Sequence, residues 1–124
     1  MNAILCVDSN PKSLQTLSMI IRSNGYICIP AETTEEAVRA FSGSRADLVI
    51  VNNEPGKVSL ASRLERLRDV PTIMLTDNVE KTQKPSGVDV LSPKPVHARE
   101  LLSTISVLLS SAVQVRTFNF GKVA

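Results

Sequence analysis

Four groups of polar residues stand at the carboxyl ends of short apolar runs. Asp8 and Ser9 close Ala3-Ile-Leu-Cys-Val-Asp8, and Asn52, Asn53 and Glu54 close Asp47-Leu-Val-Ile-Val-Asn-Asn-Glu54. Thr76 and Asp77 close Pro71-Thr-Ile-Met-Leu-Thr76, and Lys94 lies near the end of Val88-Asp-Val-Leu-Ser-Pro-Lys-Pro95. Short β-branched apolar runs of this kind read as buried parallel strands. In an open α/β sheet the working site lies just beyond the carboxyl ends of the strands. An acid, an amide, a hydroxyl and an ammonium so placed can converge on one polar pocket. Asn52, Asn53 and Glu54, at the end of the central run, stand where its chemistry would happen.

The segments between the runs are those needed to position them. Asn10-Pro11 opens a helix, with Asn10 as N-cap and Pro11 at the first helical position. Leu14, Leu17, Ile20 and Ile21 recur at helical spacing, and Asn24-Gly25 closes it. Tyr26-Ile-Cys-Ile-Pro30 is a further short strand. Thr33-x-x-Glu36 forms a capping box ahead of the stripe Ala37, Val38 and Phe41, and Gly43 ends that helix. Pro55-Gly56 is a turn, and Leu60, Leu64 and Leu67 mark a short helix. Residues 77–87 hold one apolar residue, and Pro85 prevents a long helix there. A final helix starts near His97 with the stripe Leu101, Leu102, Ile105, Leu108, Leu109 and Ala112. The expected division is a domain over 1–113 and a C-terminal tail over 114–124.

This alternation implies an α/β fold: a single doubly wound, five-stranded parallel sheet, order 2-1-3-4-5, with helices on both faces. The helix between the fourth and fifth strands is expected to be short or missing. A chain of 124 residues, 43% hydrophobic, is long enough for one buried core. Aromatics make up 3% and no run of Lys or Arg occurs, which argues against a nucleic-acid surface. Cys6 and Cys28 lie in strand-like runs and read as buried, reduced thiols that suit a reducing cytoplasm. Asp8 interrupts the first apolar run too early for a secretory signal, and 101–115 is too short and Ser-rich to span a membrane.

Taken together, Ile4-Leu-Cys-Val-Asp-Ser-Asn10, Asp47-Leu-Val-Ile-Val-Asn52, Pro71-Thr-Ile-Met-Leu-Thr76 and Gly87-Val-Asp…Lys94-Pro95 give the chain its family likeness. It resembles the receiver domain of two-component response regulators, the CheY-like, flavodoxin-like fold, over residues 3–113. In that family two acids after the first strand and an aspartate ending the third bind Mg²⁺. The aspartate takes a phosphoryl group from a histidine kinase, and a Thr or Ser and a Lys contact its oxygens. Asp8, Thr76 and Lys94 match that pattern, and the resemblance implies a cis Lys94-Pro95 bond. Ser9 stands where the second acid belongs and Asn52 where the phospho-acceptor belongs. Leu91 holds the position of an aromatic switch residue.

The departures have a chemical meaning. Acyl phosphate formation needs a carboxylate nucleophile, and the lone pair of the Asn52 amide nitrogen is delocalised. Mg²⁺ wants hard, charged oxygens, so Asp8 and Glu54 would hold it weakly if at all. Asp8 is expected to be held by Lys94 and by the amides opening the next helix, and Thr76 by nearby backbone. His97 is expected at the surface. The resemblance thus implies a non-enzymatic pseudo-receiver, cytoplasmic and bacterial, with no cofactor, acting through a protein partner or as a homodimer, without nucleic acid or membrane. The competing class is a flavodoxin-like cofactor-binding or enzymatic domain. Against it, Asp8-Ser-Asn-Pro11 is acidic and carries a Pro where a phosphate loop would be Gly-rich or Ser/Thr-rich.

Overall fold

The computed structural model describes residues 1–54 and 59–123, with the side chains of 1–54 and 59–111. The Pro55-Gly56 turn and the side chains of Ala112, Phe118 and Phe120 lie outside the described residues. Five strands alternate with helices: β1 (Ala3–Val7), α1 (Pro11–Ser23), β2 (Ile27–Ala31), α2 (Thr34–Ser42), β3 (Leu48–Asn52), α3 (Leu60–Leu67), β4 (Thr72–Thr76), β5 (Val90–Pro93) and α4 (Ala98–Val123). All pairings are parallel and the order is β2-β1-β3-β4-β5, as the sequence pattern implies.

β1, β3 and β4 alternate between two apolar layers, because successive side chains point to opposite faces. Leu5, Val7, Val49, Val51 and Met74 pack with Phe41 of α2 and with Leu60 and Leu64 of α3. Ile4, Cys6, Ile50, Ile73 and Leu75 pack with Leu17 and Ile21 of α1 and with Leu101 and Ile105 of α4. β3 is buried on both faces, which is why its sequence is an unbroken apolar run.

Local signals set the helix ends. Asn10 Oδ1 accepts from the amides of Lys12 and Ser13 at 2.9 and 3.3 Å. Thr33 Oγ1 accepts from Glu36 N–H at 3.1 Å. The return bond of the box falls one residue early: Glu36 Oε2 accepts from Glu32 N–H at 2.8 Å. Gly25, at φ +85°, follows Asn24 and turns the chain into β2.

Three details are set by the tertiary structure. Leu67, the last residue of α3, is 54% exposed, whereas Leu60 and Leu64 are buried. As expected, no helix forms between β4 and β5. Residues 77–89 instead make turns held by Asn78, whose carbonyl accepts from both the N–H and the hydroxyl of Thr82. α4 runs on to Val123, through residues 114–123. At 1.5 Å per residue a helix of 26 residues is about 39 Å long. Its first turns pack on the sheet through Leu101 and Ile105, while Leu102, Leu108 and Leu109 are half-buried and Val107 is 60% exposed.

Candidate functional site

The carboxyl ends of β1, β3, β4 and β5 bring Asp8, Asn52, Glu54, Thr76 and Lys94 to one edge of the sheet. Asp8 directly follows β1 and is 4% exposed; its Oδ1 accepts from Asn10 N–H at 2.9 Å. Burial pushes its carboxyl above the ordinary value, and the neighbouring Glu54 carboxylate adds to this. The Asn10 amide and, more weakly, Lys94 act in the opposite direction.

Asn52, the last residue of β3, lies between an acid and a base. Its Nδ2 donates to Glu54 Oε1 at 3.0 Å, and its Oδ1 accepts from Lys94 Nζ at 2.7 Å. An amide is the side chain that can do both, since it carries a donor and an acceptor on one planar group. Glu54 Oε1 also accepts from Ser9 N–H at 2.9 Å, so Ser9 enters the site through its backbone. Lys94 is brought there by β5 and a cis Lys94-Pro95 bond. Its ammonium also lies 3.8 Å from the exposed Asp77 carboxylate. The expected Asp8–Lys94 ion pair is not formed among the described residues, because Asn52 Oδ1 takes the ammonium instead.

A second chain of bonds runs beside the first. Asn53 Nδ2 donates to Thr76 Oγ1 at 3.2 Å, and that hydroxyl lies 2.8 Å from Thr82 Oγ1. The expected backbone contact to Thr76 is present but long, from Asn78 N–H at 3.5 Å. Thr82 was not singled out in the sequence; the signal for it is Asn78-x-x-x-Thr82, the spacing of a single helical turn. Leu91 is half-buried against the core layer of α2 and α3, and His97 is exposed. Next to the site, a cleft of about 290 Å³ opens between α1 and the β5–α4 connection, with Asp8, Leu17, Ile20, Leu75, Lys94 and Val96 among its walls.

No family model matches the chain. The phosphate regulon transcriptional regulatory protein PhoB of Pseudomonas aeruginosa is 31% identical over 116 residues, covering 86% of this chain and 51% of PhoB. The heme response regulator HssR of Staphylococcus saprophyticus is 30% identical, covering 88% of this chain and 52% of HssR. Among solved structures, the response regulator TrrA of Thermotoga maritima, in complex with Mg²⁺ and BeF, superposes with a TM-score of 0.78 at 28% identity, over 87% of this chain and 99% of that one. Fold and relatives agree: the chain is a response-regulator receiver domain of the CheY-like type. It spans about half the length of the curated relatives it matches. Among the described residues no helix is long and apolar enough to cross a membrane.

Proposed function

We propose that this receiver domain signals without aspartyl phosphorylation, as a pseudo-receiver that works through protein–protein contact. The observation that carries the reading is the Asn52 amide, held at one end by Lys94 and at the other by Glu54. A side chain with no nucleophilic carboxylate cannot form an acyl phosphate. The hydroxyl and ammonium that would contact phosphoryl oxygens are engaged with Asn53 and Asn52.

The same donors argue against tight Mg²⁺ binding. Asp8 and Glu54 are the two carboxylates at the centre of the pocket, and Lys94 puts a cation against the Asn52 oxygen a metal would need. The partner is a protein of a signalling route or a second copy of the chain, working in the cytoplasm. The surface we assign to it is the face of the 77–89 segment, β5 and α4, which lacks a covering helix and exposes Val107.

Incubation with acetyl phosphate and Mg²⁺, read by intact mass, tests the reading. No phosphoryl adduct is expected. A Mg²⁺-dependent, hydroxylamine-sensitive gain of one phosphoryl group overturns it.

A further inference from the structure

Two nucleophilic side chains outside the polar pocket have no part in the proposed function. Cys6 on β1 is fully buried, and Cys28 on β2 is 9% exposed; both face the layer of α1 and α4. Their sulfurs are 3.6 Å apart, and Cys28 Sγ is 3.3 Å from Ser18 Oγ on α1. Hydrogen bonding from Cys6 lowers the Cys28 thiol to about 6 against the cost of burial, with Ser18 and Arg22 assisting. Of the two, Cys28 is thus the more acidic thiol, and the thiolate is the reactive form.

The pair joins an internal strand to an edge strand of the sheet. β2 is an edge strand, bonded on one side only. Pro30 is in register with Cys6 and turns its nitrogen to the open edge, since Ile27 N–H and Ala31 O are among the groups that bond β1, while Cys28 is in register with Ile4. Shortening the sulfur separation to the disulfide length of about 2.05 Å needs a shift of backbone as well as side chains. That shift falls on the edge strand, which is bonded on one side only.

We propose that Cys28 and Cys6 are a peroxide-responsive modification site, which closes reversibly to an intrachain disulfide tying β2 to β1. The Cys28 thiolate attacks one peroxide oxygen, the O–O bond breaks, and hydroxide leaves, giving a sulfenic acid. Cys6 sulfur then displaces that hydroxyl as water and the S–S bond forms. Two electrons and two protons pass from the thiols to the peroxide, which ends as two waters. A dithiol reductant reverses the bond. Asp8 N–H donates to Ala31 O at 3.1 Å just beyond the pair, so a covalent tie there reaches the wall of the polar pocket.

Hydrogen peroxide added to the full chain tests this. Monomeric chain lighter by two hydrogens, a peptide joining Cys6 to Cys28, and recovery in dithiothreitol are expected. In the Cys6→Ser variant dimedone should trap a sulfenic acid on Cys28. Should that variant not fold, an early dimedone quench of the wild-type chain must place the adduct on Cys28. Iodoacetamide should alkylate Cys28 ahead of Cys6, with half-maximal rate near pH 6. Oxidation that stops at sulfenic or sulfinic acid, a bond between two chains, or faster reaction at Cys6 overturns the proposal.

Discussion

Replacing Asn52 with aspartate, the change that looks most like a repair of this receiver, should destabilise it. The amide nitrogen that donates to Glu54 becomes a second carboxylate oxygen facing Oε1. At an effective dielectric of about 20, like charges at the 3.0 Å of that contact repel by about 5.5 kcal/mol, and opposite charges at the 2.7 Å of the Lys94 contact attract by about 6 kcal/mol. The two nearly cancel, and solvent at the half-buried site weakens both. What remains is the lost hydrogen bond to the Glu54 carboxylate, worth about 1.5–3 kcal/mol. Asn52→Asp should therefore cost about 2 kcal/mol at neutral pH, and less as acid protonates the new pair. Urea unfolding in a chelator, with the midpoint compared at constant slope, measures this. Glu54→Gln in the Asn52→Asp background should recover most of the loss, since it removes the repelling charge and restores a donor. An Asn52→Asp chain as stable as the wild type refutes the reasoning. So does a Glu54→Gln change that destabilises both backgrounds equally.

Three further outcomes follow from the geometry. The Asp8 carboxyl is raised above its ordinary 3.8, chiefly by burial, so its stabilising contribution is full below 3.8 and is lost as pH rises through the raised folded value; Asp8→Asn should raise Tm at neutral pH, with the gain closing toward the ordinary carboxylate range, and a thermal-melt series across pH checks this. Gly87 sits at φ +87° with an added Cβ falling 2.7 Å from the Ala61 carbonyl oxygen, so Gly87→Ala should cost at least about 1–2 kcal/mol in urea unfolding. Amides of 77–87, which lack a helix, should exchange hydrogen far faster than β3 in the free chain, and binding of a partner or second copy should protect 97–113; equal protection of 77–87 and the sheet would count against the assigned face.

Sequence alone determined the layers of this protein. Unbroken apolar runs at β1, β3 and β4 can be satisfied only by burial on both faces, and the caps at Asn10, Thr33 and Gly25 act within a few residues of themselves. The weak helix signal over 77–87 was equally local, since one apolar residue and Pro85 leave nothing to bury. The strand-end rule also placed Asp8, Asn52, Thr76 and Lys94 at one edge. Which of them touch was decided by the tertiary structure. Lys94 could reach Asp8, Asp77 or Asn52, and the choice depends on ångström-scale offsets between β3 and β5, which are not adjacent strands. Glu54 folds back onto Ser9 N–H and Asn52 by the path of its own backbone after β3. Thr82 joins through a turn whose form is set by Asn78. The sulfur contact between Cys6 and Cys28 depends on a register two residues out of step, which no periodicity in either strand encodes.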